Sequence, residues 1–150
     1  MKLAEALILR VDTQKYIAQL QERLIRNAKV QAGDTPAEDP EILLQELENA
    51  TRSLIDVICS INRTNAVTIA GDKTVAALLA ERDARIRQAN ILRAFLKEAS
   101  DKVDRYSTKE IATVSSVNVA AKQKELDALA KEIRQMDTKI QELNWLTEIV

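Results

Sequence analysis

The residues best suited to chemistry form one short polar run and an arginine further along the chain. The run is Asn62, Arg63, Thr64 and Asn65, and the arginine is Arg82. An arginine side chain presents a planar fork of N–H donors that matches the oxygens of a phosphate or a carboxylate. Amide and hydroxyl groups beside it can orient such an anion. We therefore predict a binding site for a small anion, a nucleotide or a nucleic acid that uses Arg63 and Arg82.

The same polar run has a structural interpretation, which the sequence leaves open. Six apolar residues before it recur at spacings of four and three, which places them on one side of a helix. They are Leu43, Leu47, Ala50, Leu54, Val57 and Ile61. Asn and Thr favour caps and turns over helix interiors, so we predict that this helix ends after Ile61 in a polar turn. The run would then cap the helix, whose last carbonyls need partners, and fasten a neighbouring ribbon.

Catalytic and metal chemistry are not favoured by the other polar residues. The chain contains no histidine, which removes the common zinc sites and His-based catalysis. Glu81, Arg82 and Asp83 have the pattern of a solvated ion-pair face rather than of an acid–base pair. Asp101 and Asp104 lack the spacing and the glycine of a calcium loop. We therefore expect no enzyme activity, no catalytic residues, no metal and no cofactor.

The single cysteine is not expected to react. Cys59 has no second cysteine to pair with, so an internal disulfide is excluded. It lies on the helix that carries the apolar seam, directly after Ile58, and we predict a buried side chain that behaves as a small hydrophobe.

The composition predicts an all-α protein. Apolar residues make up 46% of the chain, charged residues 30% and aromatic residues 3%, with two glycines and two prolines, as in helical bundles and coiled coils. We expect residues 1–150 to form a single elongated helical-bundle domain, with four long helices arranged as two antiparallel coiled-coil-like hairpins. The formal charge of -1 gives no overall attraction to nucleic acid. Nucleic acid is therefore not favoured as a partner.

The N-terminal segment does not have the order of a signal peptide. Glu5, Arg10 and Asp12 interrupt its first apolar run, whereas a signal peptide keeps an uninterrupted apolar region. No run approaches the roughly 20 apolar residues that span a membrane. A cytoplasmic location is the expectation.

The first two helices are delimited by recognisable signals. An apolar helical period extends over residues 2–31 and is broken over residues 32–39. Gly33 is predicted to cap the end of the first helix. Asp39 is predicted to cap the second helix, with Pro40 at its first position. We therefore predict that the first two helices form an antiparallel hairpin around this connector.

The second half of the chain predicts a ribbon and two more helices. Residues 66–70 and 111–117 are rich in β-prone residues, and we predict that they pair as a small two-stranded β-ribbon. Thr74 is a suitable cap for a third helix over residues 75–106. Asn118 is a suitable cap for the last helix.

The third helix is apolar over more than one narrow seam, so it needs several partners. One chain with few long helices does not offer enough of them, and we predict a homo-oligomer, a dimer or larger. A lone tryptophan beside a helical seam is typical of a contact between helices or subunits. The predicted oligomer contacts are Leu78, Ile91, Phe95 and Trp145.

Several stretches read together resemble a known family. They are residues 1–7, 26–28, 61–65, 80–83 and 137–145, with Asn-Arg-Thr-Asn at 62–65 and Glu-Leu-Asn-Trp at 142–145 as the most specific pieces. Their order and spacing are similar to those of the septicolysin-like family of small helical bacterial proteins. The resemblance covers almost the whole chain and implies a helical fold and a bacterial origin. The family has no established catalytic residues, so it implies none here.

Three functions remain open. The leading one is a non-enzymatic, self-associating helical protein of unknown cellular role, based on the excess of apolar helix surface. The family name implies a membrane-active lysin as an alternative, for which residues 67–80 or 111–121 would have to become amphipathic at a bilayer. Membrane contact is therefore left open. The third is the anion, nucleotide or nucleic-acid binding module that uses Arg63 and Arg82.

Overall fold

The computed structural model describes residues 1–101 and 111–150. Within these residues it contains four α-helices and one two-stranded antiparallel sheet. In chain order they are α1 (Leu3–Arg26), α2 (Pro40–Val67), β1 (Ile69–Ala70), β2 (Lys73–Thr74), α3 (Val75–Ser100) and α4 (Val119–Leu146). Helix α1 packs on α2, and α3 shares an apolar cluster with α4. The predicted all-α class, with two helical hairpins and a small ribbon, is confirmed.

The first helix ends earlier than predicted. It stops at Arg26, and Asn27 forms its C-terminal cap. The Asn27 side chain donates to the Arg23 carbonyl oxygen at 2.8 Å and accepts from the Glu38 backbone N–H at 3.0 Å. The Asn27 side chain thus pairs with the Arg23 carbonyl oxygen and the Glu38 backbone N–H. The helix ends there and does not continue to residue 31. Gly33 lies in the connector with φ of +91°, so its prediction as the helix cap was wrong.

The second helix begins as predicted but ends later. Asp39 accepts from the Glu41 backbone N–H at 2.9 Å, and Pro40 opens the helix. The helix then continues through the polar run to Val67, so the predicted end after Ile61 was wrong. The Thr64 hydroxyl donates to the Ser60 carbonyl oxygen at 2.8 Å. This bond to the preceding turn lets a polar residue remain within the helix.

The ribbon forms between neighbours in the chain. Ile69 pairs with Thr74 and Ala70 with Lys73, and the turn between them uses a positive φ of 73° at Gly71. The predicted partner, residues 111–117, forms no strand, so that pairing was wrong. A two-residue turn closes the local hairpin at a smaller entropic cost than a partner some 40 residues away.

The last two helices begin where the sequence predicted. Helix α3 starts at Val75, directly after Thr74. Helix α4 starts after Asn118, whose Oδ1 accepts from the Ala121 backbone N–H at 3.0 Å. The predicted end of the third helix at Tyr106, like Asp104, lies outside the described residues.

The described residues form two compact units, Met1–Val75 with Gln141–Val150 and Ala76–Ile140. In the first unit, apolar side chains of α1 and α2 form two buried clusters, at opposite ends of the hairpin. These clusters contain Leu3, Ala6, Val57 and Ile61, and Leu20, Leu43 and Ala50. The second unit has one such cluster between α3 and α4, which contains Ala89, Leu96, Leu126 and Leu129. The single-domain description stays a prediction.

Cys59 is exposed, so its predicted burial was wrong. The buried α2 residues nearest to it are Val57 and Ile61. A position two residues from each of them points about 200° away from it around the helix axis. Cys59 therefore lies on the side of α2 opposite the apolar seam.

Candidate functional site

Thr64 is the most constrained residue of the polar run. Its side chain is 1% exposed, and its hydroxyl donates to the Ser60 carbonyl oxygen. The same oxygen accepts from the Val150 backbone N–H at 3.0 Å. The Thr64 carbonyl also accepts from Thr68 N–H at 2.9 Å, at the end of α2. Thr64 therefore connects the C-terminal residue Val150 to α2. Its hydroxyl is engaged in these contacts and is not available to a ligand.

The other members of the run have different surroundings. Arg63 is exposed and donates from Nη2 to the Ser60 Oγ at 3.2 Å. Asn62 is exposed as well. Asn65 is half-buried, and its Oδ1 has no hydrogen-bond partner among the described residues. Arg63 and Thr64 thus meet at Ser60, and of these two residues the Arg63 guanidinium offers donors to solvent.

Arg82, the fifth predicted site residue, belongs to the second compact unit. Its guanidinium contacts Asp83 at 2.9 Å and Asp137 of α4 at 3.2 Å. Burial lowers the pKa of Arg82, but the hydrogen bonds and charges of Asp83 and Asp137 outweigh burial and raise this pKa above its ordinary value. Two carboxylates already neutralise this cation, so an anion would have to compete with them.

A polar cluster that the sequence did not predict lies on the first hairpin. Arg23 of α1 donates from Nη2 to Glu38 Oε1 at 2.6 Å and from Nε to both Glu38 oxygens. Its Nη1 lies 3.8 Å from Glu46 Oε2, which accepts from the Tyr16 hydroxyl at 2.8 Å. These residues lie on α1, on the connector and on α2. Tyr16 and Arg23 are two turns apart on α1, but no helical spacing relates them to Glu38 or Glu46. The folded hairpin therefore brings the two pairs together.

The protonation states in this cluster are those of a structural contact. The hydrogen bond to Glu46 is the largest cause that raises the pKa of Tyr16. The hydrogen bond from Arg23 lowers the pKa of Glu38 below its ordinary value, and the same bond raises the pKa of Arg23. The phenol is thereby kept protonated and Glu38 is kept ionised. The cluster holds α1 to the connector and to α2.

The two chain ends meet in a second ionic cluster of the first unit. The Met1 amine and the Lys2 ammonium contact Glu148 at 3.0 and 2.7 Å. The hydrogen bond from Lys2 is the largest cause that lowers the pKa of Glu148. Lys2 also donates to the Leu146 carbonyl oxygen at 3.1 Å. These contacts fasten the last residues of the chain beside the start of α1.

An open apolar groove lies between α3 and α4 of the second unit. Its volume is about 520 Å³, and its lining is Ala84, Arg87, Gln88, Ile91, Leu92, Phe95, Lys122 and Glu125. Lys122 and Glu125 form an ion pair at 3.1 Å on the α4 side. The α3 side supplies the large apolar side chains. The groove therefore joins an apolar floor to a rim that carries both signs of charge.

The four predicted oligomer contacts differ in accessibility. Ile91 is 65% exposed and Phe95 is 44% exposed, and both line the groove. Trp145 is 59% exposed and belongs to the first unit. Leu78 is 8% exposed, so its side chain is already covered within the chain. Ile91 and Phe95 thus lie together at one surface, whereas Leu78 is too buried to contact a partner.

Two kinds of feature are absent from the part of the chain that the structure describes. No group of three or more acidic or cysteine side chains in residues 1–101 and 111–150 is arranged to hold a metal ion. No helix in the same part of the chain combines the length and the hydropathy that crossing a bilayer requires.

Comparison with known proteins gives a family but no activity. Residues 10–149 match a family of unknown function, DUF6847. The chain is also similar to a crystal structure of a functionally unknown conserved protein from Corynebacterium diphtheriae. That similarity has a TM-score of 0.89 and 41% sequence identity, and it covers 100% of this chain and 99% of the other. No curated protein matches the chain, and neither match carries the septicolysin-like label. The chain belongs to DUF6847, a family of unknown function.

Proposed function

We propose that this chain is a non-enzymatic helical protein that associates with copies of itself through the α3 groove. The observation that carries the proposal is the pair of large apolar side chains on this groove, Ile91 and Phe95, both exposed. Scattered apolar residues are normal on a protein surface, but a contiguous apolar patch with a polar rim is typical of an interaction site.

The energetics support an interface at this position. Full burial of one Ile or Phe side chain contributes about 1.5–3 kcal/mol. Because Ile91 is 65% and Phe95 44% exposed, an interface gains about half of that from each. A symmetric contact buries each of these side chains twice, once from each copy. Several such side chains are needed because association itself costs on the order of 4–15 kcal/mol. The partly buried Leu92 adjoins them and extends the apolar floor.

The proposal is tested by the mass of the protein in solution. We expect static light scattering at micromolar concentration to give a multiple of the 16.8 kDa chain mass. Replacing Ile91 with Glu places a charge in the apolar floor and is expected to shift the mass towards that of the monomer. The same substitution at Ile55, an exposed isoleucine of α2, is the matched control and is expected to leave the mass unchanged. A monomeric wild-type protein would refute the proposal.

The anion-binding alternative now depends on Arg63, because Thr64 and Arg82 are engaged with other groups. An exposed guanidinium with one hydroxyl contact is a weak basis for affinity, since a solvated single cation competes poorly with water and salt. Calorimetric titration with inorganic phosphate and with a nucleotide is the test. Binding by the wild type and loss of binding in Arg63→Ala would favour this alternative.

The membrane-active alternative rests on the septicolysin-like resemblance. Of the two segments it requires, residues 67–80 contain the β1–β2 hairpin and the first turns of α3. Residues 111–121 contain an irregular stretch and the start of α4. Release of dye from anionic liposomes by the wild-type protein would favour this alternative, and sealed liposomes would count against it.

A further inference from the structure

Four exposed residues form a stripe along α3 with an unequal distribution of charge. They are Arg87, Ile91, Phe95 and Glu98, and all four are exposed. Their spacings of four, four and three place them on one face of the helix. The stripe therefore has a positive end, an apolar middle and a negative end.

The two charges cannot neutralise each other within one helix. Arg87 and Glu98 are 11 positions apart in the sequence, so about 16 Å separates them along the helix axis. A partner surface that satisfied both would need a negative group opposite Arg87 and a positive group opposite Glu98. An antiparallel copy of the same stripe carries these groups in that order.

We propose that α3 packs antiparallel against α3 of a second copy, with Ile91 against Phe95 and Arg87 against Glu98 at each end. This inference rests on the proposed self-association and specifies its geometry. The register is internally consistent. When Ile91 of one copy lies opposite Phe95 of the other, Arg87 of the first copy and Glu98 of the second are offset along the helix axis by only about 1.5 Å.

A parallel arrangement is disfavoured by the same charges. It would place Arg87 beside Arg87 and Glu98 beside Glu98 of the second copy, and like charges that face each other destabilise an interface. The antiparallel arrangement has a two-fold axis near the level of residue 93, so it closes as a dimer and does not grow into a filament. The Lys122–Glu125 pair of α4 borders the groove and adds both signs of charge to the rim of each copy.

Charge reversal at the two ends of the stripe tests the register. In Arg87→Glu, two glutamates meet at each end of the dimer, and in Glu98→Arg, two arginines meet there. We expect each single variant to weaken dimerisation by about tenfold or more, as measured by sedimentation equilibrium. The double variant restores opposite charges, so its dissociation constant is expected to return to within about threefold of the wild-type value.

Mixing the two single variants is a sharper test. A heterodimer of Arg87→Glu with Glu98→Arg has opposite charges at both ends, while each homodimer has like charges. We therefore expect the mixture to associate more tightly than either variant alone. Arg93→Glu is the matched control because it makes the same charge change at an exposed α3 position outside the stripe, and it is expected to leave dimerisation unchanged. Far-UV circular dichroism of every variant checks that the helices remain folded.

The possible failures are distinguishable. A wild-type chain that is monomeric at micromolar concentration would refute both self-association and this register. A wild-type dimer that both single reversals leave intact would refute the register alone. Single variants that are weakened while the double variant and the mixture show no recovery would also refute it, because Arg87 and Glu98 would then contact other groups.

Discussion

The α1–α2 hairpin and the α3–α4 pair have helices of similar length but distribute their apolar surface differently. In the first hairpin, Leu3, Leu20, Leu43 and Ile61 are almost completely buried. In the second pair, Ala89 and Leu96 of α3 are buried against α4, while Ile91 and Phe95 on the same helix remain exposed. Both pairs therefore bury one apolar seam and leave other apolar side chains exposed, such as Ile8 and Ile55 in the first hairpin. The difference is that Ile91 and Phe95 lie together on one open groove.

The difference has a geometric cause. Successive residues of an α-helix are about 100° apart, so the direction of the Ile91 and Phe95 side chains is roughly 130° from that of Ala89 and Leu96. One neighbouring helix covers an apolar stripe about 100° wide or somewhat wider. Helix α4 covers the side of α3 that carries Ala89 and Leu96. The side that carries Ile91 and Phe95 lines an open groove. Exposed apolar side chains also occur on α1 and α2, so the added observation at Ile91 and Phe95 is that the two side chains line one groove.

The largest expected effect is on the free energy of unfolding, when a buried apolar residue is truncated and compared with an exposed one. Leu20→Ala leaves a cavity in the α1–α2 cluster and is expected to reduce the free energy of unfolding by about 2–5 kcal/mol. Ile91→Ala removes an exposed side chain, so the unfolding of the isolated chain is expected to change by less than about 0.5 kcal/mol. Urea unfolding at a protein concentration low enough to keep the chain monomeric measures both changes in the free energy of unfolding. Equal losses would contradict the contrast between the two helical pairs.

The starts of the helices could be predicted because helix N-terminal signals are local. Asp39, Thr74 and Asn118 each lie immediately before a helix or at its first turn. The ends could not be predicted, because distant residues decide them. Helix α1 ends where Asn27 meets the Glu38 backbone, and the last turns of α2 contain Thr64, which binds Val150.

The candidate sites were predictable to a smaller extent. The Asn62–Asn65 run was recognised as a polar feature, but its burial at Thr64 depends on the C-terminal segment folding back. In the cluster of Arg23, Glu38, Glu46 and Tyr16, no sequence periodicity relates the α1 residues to the two glutamates, because the hairpin connector separates them. Ile91 and Phe95 could be identified as surplus apolar residues, since their positions follow from helical geometry alone. Leu78 of the same helix, predicted on the same grounds, is 8% exposed, because packing against other elements decides which apolar positions are covered.

A smaller effect is expected at Thr64, and it tests how far the first unit depends on a buried polar contact. Thr64→Val keeps the shape of the side chain but leaves the Val150 backbone N–H without its acceptor. We expect a loss of about 1–3 kcal/mol in the free energy of unfolding. Thr64→Ser retains the hydroxyl and is expected to lose less. Equal losses for Val and Ser would assign the effect to packing rather than to the hydrogen bond.

The smallest expected effect concerns the partly exposed ionic contact between α1 and the connector of the first hairpin, Arg23 with Glu38. The hydrogen bond from Arg23 lowers the pKa of Glu38 from its ordinary value of 4.5. A carboxyl group whose pKa is lowered by folding stabilises the folded state above its unfolded pKa, and this contribution is lost as the pH falls through the folded value. Solvent screens the pair, so the contribution is small.

The stability of the wild-type protein is therefore expected to fall more steeply below pH 4.5 than that of Glu38→Gln. Thermal unfolding across a pH series measures this difference. Glu22→Gln, which removes the same charge at an exposed α1 position, is expected to keep the wild-type slope. A shallower dependence remains in Glu38→Gln because Lys2 and the Met1 amine also lower the pKa of Glu148. Identical slopes for the wild type and Glu38→Gln would mean that the Arg23–Glu38 contact does not contribute to the pH dependence of stability.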